Sequence, residues 1–313
     1  MRVLITGVAG YIGTTLLCKI LNETNWDVIG FDRLLYGGTH LIPYISNERF
    51  TFIKGDIRDE SQLKDVVRDC DAVIHLAAIV GFPACERDQV LSQAINADAT
   101  RCIAKVVPNG VPLLYGSTGS NYGSVQGVCT EETPLNPLTT YAKTKALGES
   151  YILEHQSGIA FRFATAFGVS PRMRFDLLVN DFARKLFIDS YLVVYESDFM
   201  RTFIHVEDIA ESFIYALKNV DKFKSNVFNV GDNKMNFSKR DICEMVREKI
   251  GGFVYYADIG SDGDKRNYYV DYSKLNNTGF SCDKTMEYGI NGILDVLPLI
   301  QKIDPFNNAD TLR

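Results

Sequence analysis

The chain opens on MRVLITGVAGYIG (residues 1–13), and this stretch constrains the fold more than any other. Val3, Leu4 and Ile5 make a short apolar run of β type. It breaks at Gly7, and apolar residues at helical spacing (Ile12, Leu16, Leu17, Ile20, Leu21) follow at once. A strand, a glycine turn and a helix start in immediate succession leave the first helical N–H groups without intrahelical partners, at the positive end of the helix dipole. That geometry receives a pyrophosphate. Gly7 closes the turn, Gly10 lets the backbone approach the phosphates, Tyr11 and Ile12 begin the helix, and Gly13 lets helix and strand pack closely.

Glycines also mark ordinary turns, but a second feature of a dinucleotide site stands nineteen residues after Gly13. The run WDVIGFD (26–32) reads as a second strand ending in a carboxylate. An acid at Asp32 accepts hydrogen bonds from adenosine ribose hydroxyls and repels a 2′-phosphate, which favours NAD over NADP. Arg33 follows directly and softens that preference.

Composition narrows the class. At 313 residues the chain can bury a full core in one large or two modest domains. Its apolar content of 46% and charged content of 23% are those of a soluble globular enzyme. A net charge of -6 argues against a nucleic-acid partner. Neither a signal-like opening nor an apolar run of membrane-spanning length is visible, so a cytoplasmic protein without membrane contact is expected. The seven cysteines show no CxxC pair and read as reduced thiols, and the four scattered histidines give no metal cluster.

Further on, strand and helix patterns alternate. Strand-like runs at 50–54, 72–78 and 111–115 are separated by helical patterns at 62–70 and 93–107, with a polar loop over 34–46. This predicts an α/β fold, a Rossmann-type doubly wound parallel sheet, with a smaller C-terminal α/β portion. Small residues after the fourth strand (Leu76, Ala77, Ala78) suit a close approach to a cofactor, although plain packing explains them equally well. The fifth strand delivers GSTGSNYG (116–123), which puts Ser117 and Thr118 at a strand's carboxyl end, where ligands sit in open α/β sheets.

Pro134 and Pro137, then Thr139 and Thr140, suit a loop and a helix N-cap. Tyr141 and Lys145 then share one helix face. An ammonium beside a phenol favours the phenolate, which lets Tyr141 exchange a proton with a hydroxyl near neutral pH. On spacing alone the pair is also what chance supplies. Its place after the glycine motif and the Ser/Thr strand makes it a catalytic candidate.

Taken with GDIRD (55–59), HLAA (75–78), RFATAFG (162–168), RTFIHVED (201–208) and FNVG (228–231), these motifs stand in an order that resembles the extended short-chain dehydrogenase/reductases, in the nucleotide-sugar epimerase/dehydratase branch. The likeness runs over nearly the whole chain. It implies Thr118, Tyr141 and Lys145 as the catalytic set, acting at a sugar's 4-hydroxyl. It also implies a tightly bound NAD, touched by Asp56, Ile57, Leu76, Ala77, Ala78, Asn96 and Ser117 besides the glycine loop, Asp32 and Arg33. On this resemblance residues 1–167 form the NAD domain and 168–313 mainly bind the nucleotide-sugar, with the chain able to cross back. Thr165, Arg174, Asn180, Arg201 and Arg266 are the implied substrate contacts, and homodimerisation through the Tyr141 helix and the 93–107 helix is implied too.

Two departures shape the expected chemistry. Dehydratases of the branch carry an Asp-Glu pair after the catalytic Thr, where this chain has Gly119 and Ser120. Loss of water from C6 is therefore not expected. Thr165 stands where many relatives place an Asn, and with the run at 167–176 it resembles enzymes that oxidise a GDP-linked manno-heptose at C4 in bacterial surface-polysaccharide synthesis. A 4-dehydrogenase of that kind is the expectation, with a UDP- or GDP-hexose 4-epimerase and a non-catalytic NAD-sensing protein as alternatives. His205 reads as a structural histidine and Asp208 as the cap of the next helix.

Overall fold

The computed structural model describes residues 1–125, 127–258 and 269–300. Seven strands, β1 (Arg2–Thr6), β2 (Asp27–Asp32), β3 (Phe50–Lys54), β4 (Ala72–His75), β5 (Leu113–Thr118), β6 (Gly158–Phe163) and β7 (Asn226–Val230), form one sheet in the order β7-β6-β5-β4-β1-β2-β3. Every pairing in it is parallel. Successive side chains feed opposite faces, as the strand period requires. Val3, Ile5, Ile74, Leu114 and Phe161 enter one core beneath the helices Tyr11–Glu23 and Val206–Lys218. Leu4, Val73, Leu113 and Tyr115 enter the other, beneath Glu60–Val67, Ala99–Val106 and Thr140–Leu153. The doubly wound architecture is thus the expected one.

The chain runs outward from β1 to β3, then crosses over to β4, so the strand order reverses between β1 and β4. Ligands of open α/β sheets bind in the crevice outside the carboxyl ends at such a reversal. Past β6, a third core gathers Phe167, Val179, Leu186, Phe203, Ile242, Val246 and Ile290 among the helices Leu178–Asp189, Lys239–Ile250 and Met286–Val296. Between these segments the chain returns to the first sheet through Val206–Lys218 and β7.

Two local expectations need correction. The single helix expected over 93–107 is Gln89–Gln93, a π turn Ala94–Asp98 and Ala99–Val106. The wide turn holds Asn96, whose side chain brackets the Ile79 backbone: Oδ1 accepts from the Ile79 N–H at 2.8 Å and Nδ2 donates to its carbonyl at 2.9 Å. Asp208 does not cap its helix. The cap is His205, whose ring accepts from the Glu207 N–H at 3.3 Å, while Asp208 accepts from the N–H groups of Asp283 and Lys284, both at 3.1 Å.

Candidate active site

The glycine loop has the close-packed geometry its spacing predicts. Gly7 has φ +74°, and a Cβ there would lie 2.6 Å from the Ala77 N and 2.8 Å from its Cα, so the first turn presses on the backbone after β4. A Cβ at Gly13 would collide with the Gly7 carbonyl and lie 2.8 Å from Val8 Cα. Gly10 is the N-cap of Tyr11–Glu23, and among the described residues no side chain caps that helix start. Gly7, Gly10, Tyr11, Ile12 and Gly13 line a cleft of about 920 Å³, shared with Leu76, Ala77, Ala78, Asp56 and Ile57.

Asp32 stands at the end of β2 and lines the same cleft. Its Oδ2 accepts from the Ala9 N–H at 3.0 Å and its Oδ1 from the Leu34 N–H at 2.7 Å. Burial pushes its carboxyl up, and the two amide bonds oppose that rise. Each oxygen keeps acceptor capacity for a ribose hydroxyl. Arg33 lies 3.6 Å from Asp56, whose two oxygens also accept from Arg58 at 3.0 and 2.6 Å. The Arg58 guanidinium holds the Asp56 carboxyl below its ordinary range. The charge of Arg33 is thus answered by a protein carboxylate, which fits a cofactor without a 2′-phosphate.

Thr118 closes β5. Its Oγ1 donates to Ser120 Oγ and accepts from the Ser120 N–H, both at 3.1 Å. Tyr141 and Lys145 lie one turn apart on Thr140–Leu153, which Thr139 caps by accepting from the Ala142 N–H at 3.1 Å. All three candidate catalytic residues line the cleft. Lys145 is buried with Nζ 3.9 Å from the centre of the Tyr115 ring. Burial lowers its pKa to about 7, with the Glu149 carboxylate acting in the opposite direction.

Beneath these residues lies a polar network between groups far apart along the chain. Glu149 accepts from Arg162 Nη2 at 2.6 Å and from Ser117 Oγ at 2.6 Å. Arg162 Nη1 donates to the Tyr122 hydroxyl at 3.0 Å, and that hydroxyl donates to Asn229 Oδ1 at 2.6 Å. The network ties β5, β6, β7 and the Tyr141 helix together. Ser117, expected at the cofactor, lines the cleft, but its hydroxyl is engaged by Glu149. Asn96 likewise braces Ile79 and donates to Thr144 Oγ1 at 3.2 Å, behind the lining rather than in it.

Of the expected substrate contacts, Thr165, Arg174 and Arg201 line the cleft. Arg174 donates through Nε and Nη2 to the two oxygens of Asp176, at 3.1 and 2.7 Å. Arg201 Nη1 donates to the Met200 carbonyl at 3.2 Å. Asn180 corrects the expectation of an amide offered to the sugar. It is fully buried, its Oδ1 accepts from the Gly168 N–H at 3.1 Å and its Nδ2 donates to the Arg174 carbonyl at 2.8 Å. It shapes the loop that carries Arg174. Arg266 lies outside the described residues. Further lining residues include Tyr36 and Lys239, and Arg172 and Asp176 from the run that carries Arg174.

Residues 3–231 match the NAD dependent epimerase/dehydratase family. The chain is 28% identical over 94% of its length to the low-salt glycan biosynthesis protein Agl12 of Haloferax volcanii, spanning 98% of that protein. It is 26% identical over 94% of its length to a putative UDP-glucose 4-epimerase of Methanocaldococcus jannaschii, spanning 97% of it. The crystal structure of UDP-glucuronic acid 4-epimerase from Bacillus cereus, in complex with UDP-glucuronic acid and NAD, matches with a TM-score of 0.86 at 25% identity, over 96% of this chain and 99% of that one. The residues present fit NAD: a glycine cradle that a Cβ would fill, a carboxylate lining the cleft at the end of β2, and the three candidate catalytic side chains in the same cleft. The chain therefore belongs to the NAD-dependent epimerase/dehydratase family of extended short-chain dehydrogenase/reductases, and is an NAD-dependent enzyme of nucleotide-sugar chemistry.

Proposed function

We propose that the protein inverts C4 of a nucleotide-linked sugar, with a UDP-sugar as the first candidate. The observation that carries this reading is the cleft lining after β5. Thr118, Tyr141 and Lys145 face the cleft together, and Gly119 and Ser120 follow Thr118 where a dehydratase needs acids. With no carboxylic acid there to protonate a departing 6-hydroxyl, chemistry stays at C4. NAD, when bound, supplies a reversible hydride acceptor. The chain's own groups manage the proton and the geometry. Tyr141 takes the proton of the 4-hydroxyl and later returns one to the same oxygen. Thr118 holds that oxygen by a hydrogen bond, and the Lys145 ammonium favours the phenolate. Rotation of the 4-keto sugar between the two transfers presents its opposite face and yields the epimer.

The names of two of the relatives, UDP-sugar 4-epimerases, support this outcome over net dehydrogenation. The GDP-linked manno-heptose suggested by Thr165 and the 167–176 run finds no support among the relatives described above. The test offers the purified enzyme UDP-glucose, UDP-galactose, UDP-glucuronic acid and a GDP-manno-heptose, with NADH absorbance followed and products separated. A C4 epimer formed without net NADH is expected. A 4-keto sugar accumulating with NADH would make the protein a dehydrogenase, and a 6-deoxy-4-keto product would make it a dehydratase.

A further inference from the structure

Two loops from opposite halves of the molecule meet beside the glycine turn. The first, after β2, is pinned by His40, whose Nε2 lies 2.7 Å from the Ala9 carbonyl oxygen of the glycine loop itself. It carries Tyr36. The second follows the strand Thr165–Phe167 and is pinned to the other side of the same helix start. The Tyr11 hydroxyl donates to the Gly168 carbonyl at 2.7 Å, and Ser170 Oγ donates to the Tyr11 carbonyl at 2.7 Å. It carries Arg172 and Arg174.

The loops touch where the Arg172 guanidinium carbon lies 4.6 Å from the centre of the Tyr36 ring. Both side chains line the cofactor cleft, and Arg172 is 2% exposed. Its charge is close enough to bear on Asp32, His40 and Asp176. The Tyr36 hydroxyl is buried and, among the described residues, meets no hydrogen-bond partner. A buried hydroxyl of this kind calls for a partner. A buried arginine beside a helix N-terminus adds positive charge where the backbone already favours an anion. Stacking on an aromatic face holds the guanidinium plane in one orientation.

We infer that Arg172 and Tyr36 form a strap that retains NAD, with the guanidinium and the phenolic hydroxyl both given to the dinucleotide's phosphates and riboses. Because Arg172 shares its loop with Arg174, the segment facing the substrate also holds the cofactor. Retention matters for inversion at C4, where the hydride that leaves the sugar must still be at hand to return. The inference rests on NAD as the cofactor and not on which sugar is turned over.

The test loads the enzyme with NAD and follows its exchange for the fluorescent analogue etheno-NAD, without sugar. Arg172→Gln removes charge and stack and is expected to speed exchange at least about tenfold, the loss of a charge-assisted hydrogen bond. Arg172→Lys, which keeps the charge without the planar stack, falls between. Tyr36→Phe keeps the ring and loses the hydroxyl, for about a threefold effect. Thermal unfolding of each NAD-free variant separates a lost strap from a lost fold. If Arg172→Gln does not fold, Tyr36→Phe and Arg172→Lys decide the question. Folded variants that exchange NAD at the wild-type rate would overturn the strap. Since no sugar is present, that result is independent of the C4 product.

Discussion

Two of the arginine–carboxylate pairs near the cleft, Arg162–Glu149 and Arg174–Asp176, differ in what surrounds them. Arg162 and Glu149 are 6% and 3% exposed at their side chains, and the pair has further partners in Ser117, Tyr122 and the Glu131 carbonyl. Arg174 and Asp176, at 10% and 19%, lie two residues apart on one loop and both line the cleft. The first pair is satisfied on all sides by elements distant in sequence, so it holds those elements together. The second is local and lines the cleft, and on the proposed function its arginine exchanges a carboxylate for a phosphate. Chemistry of the residues does not separate a structural pair from a binding one; the company each keeps does.

Breaking the structural pair should have the larger effect on folding. Glu149→Gln leaves a buried guanidinium without its charge partner, and a loss of about 3–5 kcal/mol in denaturant unfolding is expected. A loss no greater than that of Asp176→Asn would erase the distinction between the pairs. A smaller effect belongs to Gly13→Ala, where the added methyl meets the Gly7 carbonyl. Overpacking of this kind costs about 1–3 kcal/mol, and here it should appear mainly as weaker NAD binding in a fluorescence titration. Smallest is Arg174→Gln, which should raise KM for the nucleotide-sugar about tenfold with NAD affinity little changed. A matching drop in NAD affinity would instead place Arg174 with the cofactor.

The features legible in the sequence are those made by neighbours along the chain. Gly7, Gly10 and Gly13 act through a single turn, Asp32 ends the next strand, and Tyr141 and Lys145 share one helical face. What escaped sequence reading depends on partners far away. Ser117 meets Glu149 across 32 positions, and Arg162 meets Tyr122 across 40. Asn96 and Asn180 are instructive because both amides were expected to face ligands. Each instead satisfies backbone groups of a nearby loop, at Ile79 and at Gly168 and Arg174. A buried amide must find donors and acceptors, and the fold alone decides which lie within reach. The stacking of Arg172 on Tyr36 escaped for the same reason, since only the folded chain brings the two loops together.

On the proposed function, Tyr141 moves the proton at the sugar's C4 oxygen. Tyr141→Phe keeps the ring and removes only the group that carries the proton. NAD affinity by fluorescence titration should be unchanged, while epimer formation falls by about 10²- to 10⁴-fold. Wild-type turnover by a Tyr141→Phe enzyme that still binds NAD would contradict the account.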